Sequence, residues 1–126
     1  MSRTDFERLE VYKLSEKLAD EVWDIVAGWK SFPRMTVGRQ LVRAADSIGA
    51  NIAEGVGRGS FKDNRRFVKI GRGPLYEVKH WLRRAYRRKL LSNNQVERLK
   101  PTLDELAPRL NAYLKSIGTV PHKDNN

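Results

Sequence analysis

Apolar residues recur at intervals of three and four along four separate stretches of this 126-residue chain, and no stretch alternates apolar with polar at every second position. That spacing places side chains on one stripe of an α-helix, and a helix with a single apolar stripe must bury it against others. The fold class it dictates is all-α. The first stripe is Val11, Leu14, Leu18, Val22, Ile25 and Trp29, widened by Tyr12, Ala19 and Val26. Leu41, Ala44, Ala45, Ile48 and Ile52 make the second, and Phe67, Gly71, Leu75, Val78, Leu82 and Ala85 the third. Val96, Leu99, Leu103, Leu106, Leu110, Tyr113 and Ile117 make the fourth, with the cleanest heptad spacing.

Capping signals bound these stripes. Thr4 with Glu7, Ser60 with Asp63 and Ser92 with Gln95 each match the pattern in which a hydroxyl caps a helix start. The helices are therefore expected over about 5–30, 36–55, 60–91 and 93–117, with Thr36 as candidate N-cap of the second. Gly118 ends the last, and 119–126 are expected to be a disordered tail. Pro74, Pro101 and Pro108 fall inside helical stretches. A bend or local break is expected near Gly71 to Pro74, and one curved fourth helix, with a break before Pro101 as the alternative. Trp23 and Trp29 are expected to serve packing instead of lining a ligand box. One domain over 1–126 is the natural size for such a chain.

Beside the second apolar stripe runs a polar one, Gln40, Arg43, Ser47, Asn51 and Glu54, and a third side carries only the small residues Gly49, Ala50 and Ala53. Two readings of the polar stripe stay open: a solvated face, or a hydrogen-bonding row at a helix or subunit contact. The small side allows another helix to approach closely. Gly55, Gly57 and Gly59 close the segment.

The run Gln40-Leu41, Arg43-Ala44-Ala45, Ser47-Ile48, Asn51-Ile52-Ala53-Glu54-Gly55, Gly57-Arg58 resembles the signature of the bacterial four-helix-bundle family named for 23S rRNA intervening sequences. Phe32-Pro33 before it, and Phe67, Gly71-Arg72-Gly73, Leu75 and Glu77 after it, fit the same pattern, so the resemblance runs from about Phe6 to Ile117. It implies an antiparallel up-and-down four-helix bundle that assembles as a ring-like homo-oligomer, a homopentamer. The accessory protein of diversity-generating retroelements, which binds nucleic acid and a reverse transcriptase, is similar at a greater distance. Pro74 departs from the pattern, which carries serine there. The family's two acids, Glu54 and Glu77, are expected to join Gln40, Arg43, Ser47 and Asn51 in a structural polar network, pairing with Arg43, Arg58 or Arg72.

The net charge of +10 is concentrated. Twelve Lys or Arg lie between Arg58 and Lys89 against only Asp63 and Glu77, whereas the rest of the chain holds thirteen bases and thirteen acids. A localised excess is the electrostatic footprint of a polyanion partner. On the third helix Arg65, Lys69, Arg72, Tyr76, Lys79, Arg83 and Arg87 fall on one arc, with Arg66, His80, Arg84 and Arg88 beside it. Such a strip suits RNA or DNA, its cations following phosphates, with Tyr76 available to stack on a base and Arg58 beside the helix start. The competing reading balances these charges with Glu10, Glu16, Asp20 and Glu21 of the first helix, or sets the strip against an acidic protein.

Catalytic and cofactor chemistry has little to work with. There is no cysteine, and the only histidines are His80 and His122. Glu77-x-x-His80 is half of a di-iron motif without its counterpart. Gly55-Val56-Gly57-Arg58-Gly59-Ser60 follows a helix and lacks the Lys of a phosphate loop. No cofactor or metal is expected. Neither is a membrane span, since no run approaches the roughly 20 apolar residues required. A non-catalytic, cytoplasmic, self-associating protein with a nucleic-acid-binding face is the sequence's first reading; a protein-interaction scaffold is the second.

Overall fold

The computed structural model describes residues 5–119, and these form four long helices and no strand. We label them α1 (Glu10–Ala27), α2 (Arg39–Gly57), α3 (Phe61–Arg87) and α4 (Asn93–Ser116). α1 packs on α2 and α4, and α3 packs on α2 and α4, while neither α1 with α3 nor α2 with α4 is in contact. The helices thus stand at the corners of a four-membered bundle, with the α2–α3 seam the most extensive. Leu18, Leu41, Ile48, Ile52, Leu75, Leu106 and Leu110 are fully buried along its axis, each contributing roughly 1.5–3 kcal/mol.

The expected stripes supply this core with few exchanges. In α3 Val68 is buried and Phe67 only half-buried, a shift of the stripe by one residue at its N-terminal end. Two buried polar residues, Ser15 and Thr102, escaped the apolar pattern. Ser15 fits because its Oγ donates to Tyr12 O at 2.7 Å, and because Gly49 of α2 leaves room: a Cβ there would lie 2.9 Å from Ser15 Oγ. On the small side of α2 it is Gly49 that admits α1, while Ala50 is exposed and Ala53 half-buried.

Helix ends depart from expectation in instructive ways. The first helix does not run from Asp5: Asp5–Arg8 is a 3-10 turn, and Leu9 is extended (φ −70°, ψ 130°) before α1 begins. Thr4 lies outside the described residues. Thr36 is no N-cap, because helical backbone already begins at Ser31–Pro33 and passes through a π turn, Arg34–Gly38, into α2. The Thr36 Oγ1 instead donates back to Phe32 O at 2.8 Å. The π turn brings Gly38 so close to α1 that a Cβ on it would lie 2.6 Å from Val26 Cγ1.

Ser60 and Ser92 cap as their patterns foretell: Asp63 N donates to Ser60 Oγ at 3.1 Å, and Ser92 and Gln95 form a full capping box. α3 stops at Arg87, short of 91, because Lys89 takes left-handed backbone (φ 62°) and Leu90 N donates to Ala85 O, a Schellman closure. Gly118, at φ 83°, follows α4.

No proline breaks its helix. α3 continues through Pro74, and α4 through Pro101 and Pro108. A helical proline frees the carbonyl four residues earlier, here Ile70, Glu97 and Asp104, all on exposed residues where water can satisfy it. Gly73 also removes the Cβ that ordinarily clashes with a following proline ring. Of the expected tail, 119–126, Thr119 is described and its Oγ1 donates to Ser116 O at 2.7 Å; 120–126 lie outside the described residues.

Candidate nucleic-acid interface

α3 is 27 residues long, about 40 Å of rod, and its core face is Val68, Gly71, Leu75, Val78, Leu82 and Ala85. The strip's cations leave the helix away from that face. They divide by what they touch.

At the N-terminal end Arg65, Arg66 and the preceding Arg58 are engaged. Arg65 is part-buried, and its Nη1 donates to Ile117 O at 3.0 Å, capping the end of α4. Arg66 faces Asp63 at 3.7 Å, and Arg58 pairs with Glu54 at 2.9 Å. Arg58 and Arg66 also sit over the Phe67 ring, 4.7 and 4.9 Å from its centre, so one aromatic gathers two guanidinium groups. Nearby, Asn64 Nδ2 donates to Tyr113 Oη at 3.2 Å.

Beyond Arg66 the pattern changes. Among the described residues no carboxylate forms an ion pair with Lys69, Arg72, Lys79, Arg83, Arg84, Arg87 or Arg88. Lys79 Nζ lies 5.2 Å from the centre of the Tyr76 ring, which is 62% exposed. The acids of α1 do not reach this face, since α1 and α3 are diagonal in the bundle. Glu10 faces Lys13 at 3.7 Å, and Glu16 accepts from Tyr12 Oη at 3.4 Å. On the α1–α2 side acids instead crowd one another: partial burial, and then the Asp20 charge, push the Asp46 carboxyl above its usual range.

The polar residues of α2 and Glu77 do not come together as one network. Asn51 Nδ2 donates to Ser47 O at 2.8 Å and to Ser47 Oγ at 3.4 Å. Glu54 turns to Arg58, and Glu77 accepts from Trp81 Nε1 at 3.4 Å. Gln40 and Arg43 make no side-chain hydrogen bond or ion pair among the described residues. Asn51 faces Gly71, where a Cβ would stand 3.4 Å from Asn51 Cβ.

One feature escaped sequence reasoning. An open groove of about 820 Å³ lies between the π turn and the C-terminal end of α3, lined by Phe32, Met35, Arg39, Gln40, Trp81 and Arg88 among others. Its sequence signal was Trp81, which lies off the core arc of α3 next to the basic row, and the apolar pair Phe32 and Met35 in a connection. Among the described residues no group of His, Asp and Glu could hold a metal ion, and no helix is long and apolar enough to cross a membrane.

Comparison with known proteins bears on the whole bundle. A family model described as 23S rRNA-intervening sequence protein matches residues 7–112. A crystal structure of a protein of unknown function from the S23 ribosomal protein family of Bacteroides thetaiotaomicron superposes with a TM-score of 0.73 at 25% identity, covering 83% of this chain and 98% of that one. No curated protein matches.

Proposed function

Given that the chain belongs to the 23S rRNA-intervening sequence protein family, we propose that it is a non-catalytic cytoplasmic protein that binds RNA or DNA through the outer face of α3. The observation that carries this reading is the run Arg83, Arg84, Arg87 and Arg88, four cations without an acidic partner within two turns of one helix. Unpaired guanidinium groups release counterions from a polyphosphate without first breaking an internal bridge. Lys69, Arg72 and Lys79 extend the row, and Tyr76 offers a ring for stacking.

The helices are read as an up-and-down antiparallel bundle. Arg65 near the start of α3 meets Ile117 past the end of α4, and Tyr86 near the end of α3 meets Asn93 at the start of α4. Self-association into a ring is part of the same proposal, supported by the apolar side chains of Trp23, Phe61 and Ile70 left on the surface. Repeating the basic row around an axis would convert a weak strip into an avid one.

Light scattering after size exclusion tests the reading, on nuclease-treated protein with mixed RNA or mixed DNA at low and high salt. The expected result is an oligomer that takes up nucleic acid at low salt and releases it at high salt. An oligomer indifferent to both polymers overturns the reading in favour of an acidic protein partner, and a monomer overturns the assembly.

A further inference from the structure

The groove beside the C-terminal end of α3 carries the nucleic-acid reading further, and its assignment rests on that reading. Phe32 is 78% exposed and Met35 57%, so apolar surface is left bare at one wall, while Trp81 of α3 forms part of the other. No acidic residue lines the groove, and its two cations, Arg39 and Arg88, have no carboxylate partner among the described residues. Gln40, also in the lining, makes no side-chain hydrogen bond there, so its amide keeps both a donor and an acceptor. Arg84 lies one helical turn before Arg88 and joins the groove to the unpaired row.

These groups have a common complement. Aromatic faces and guanidinium planes stack on a nucleobase, an amide reads its edge, and flanking cations hold the adjacent phosphates. A duplex hides its base faces inside the stack, so a groove of this kind serves only a strand whose bases are free. We propose that the groove holds an unstacked base of a single-stranded nucleic acid whose phosphates run along Arg84 and Arg88.

Fluorescence anisotropy at low salt, with a labelled mixed-sequence single-stranded oligonucleotide and the same sequence annealed as a duplex, tests this. Wild type is expected to prefer the single strand. Phe32→Ala, which truncates an exposed side chain, is expected to weaken single-strand binding about tenfold and to leave duplex binding and the thermal melt unchanged. In a Trp23→Phe background Trp29 and Trp81 remain, and Trp29 is buried, so a change in tryptophan emission on adding the single strand should come from Trp81 and should be absent with the duplex. Equal affinity for both polymers, undiminished in Phe32→Ala, overturns the groove and leaves the basic row standing. Absence of binding to either polymer by wild type overturns both. A Phe32→Ala variant whose assembly size changes by light scattering assigns the groove to a subunit contact and overturns the inference.

Discussion

The two halves of α3 use their cations differently: the N-terminal half commits Arg65 and Arg66 and leaves Lys62, Lys69 and Arg72 without an ion pair among the described residues, whereas the C-terminal half pairs none with an acid. In the N-terminal half Arg65 holds the end of α4, and Arg66 joins Arg58 around Phe67. In the C-terminal half Arg83, Arg84, Arg87 and Arg88 touch no acid. Charge that is already paired fixes a helix in place, whereas charge without a partner is free to recruit one. Net charge by itself does not separate these uses; the neighbours of each side chain do.

The largest expected effect breaks the second half alone. Arg83→Glu combined with Arg87→Glu should lower affinity for RNA or DNA at low salt by about a hundredfold or more, because two phosphate contacts become repulsions. Both side chains are exposed and unpaired, so the unfolding free energy by urea denaturation should fall by only about 1–2 kcal/mol, the cost of acids near a helix C-terminus, with the fold retained. Neutral Arg84→Gln should instead flatten the salt dependence, reducing the slope of log K against log salt by about 0.7 for a single strand, or about 0.9 for a duplex, for the one contact removed.

The next effect breaks the first half. A Cβ on Gly55 would lie 2.6 Å from Asn64 Oδ1 and 3.1 Å from both Asn64 O and Phe67 Cβ, whereas one on Gly57 meets nothing within 4 Å. Gly55→Ala is therefore expected to cost about 1–3 kcal/mol as overpacking. Gly57→Ala should be neutral or stabilise by up to about 1 kcal/mol through helix propensity. Urea denaturation of the pair separates a steric requirement from a mere glycine preference.

Much of this was legible in the chain. Helix number, the two serine caps and nearly all core positions follow from three-and-four spacing and hydroxyl patterns, because burial and capping are local consequences of sequence. Three things were not. The sequence left open whether Pro74 bends or breaks its helix and whether Pro101 breaks the fourth; both helices run on, because whether a freed carbonyl is stranded depends on its exposure, which a proline does not encode by itself. The π turn at Arg34–Gly38 depends on how Gly38 seats against Val26, a contact between helices. The division within the basic strip depends on Ile117 arriving beside Arg65 from 52 residues away. Long-range packing decided each case, and the groove at Phe32 and Trp81 belongs to the same class.

A smaller effect tests Arg65 itself. Replacing it with methionine keeps the aliphatic packing but removes the donor to Ile117 O and the positive charge at the end of α4. The expected loss is about 1–2 kcal/mol by urea denaturation. Nucleic-acid affinity at low salt should change far less than in the Arg83→Glu, Arg87→Glu variant. A large loss of binding with unchanged stability would place Arg65 among the cations that recruit and erase the distinction between the halves.

The smallest effect lies where the helix stops. Lys89 occupies the left-handed position of the Schellman closure with φ 62°, a conformation that costs a residue bearing Cβ about 1 kcal/mol. Lys89→Gly should relieve that strain and raise stability by up to about 1 kcal/mol, offset in part by the greater entropy of glycine in the unfolded chain. The same change removes one cation from the end of the unpaired row, so affinity for a polyphosphate should fall slightly while the melting temperature rises. Opposite movements of the two readings would show that this end of α3 keeps a strained lysine for its charge. Parallel movements would show that stability limits binding, and the free cations would then be bystanders to it.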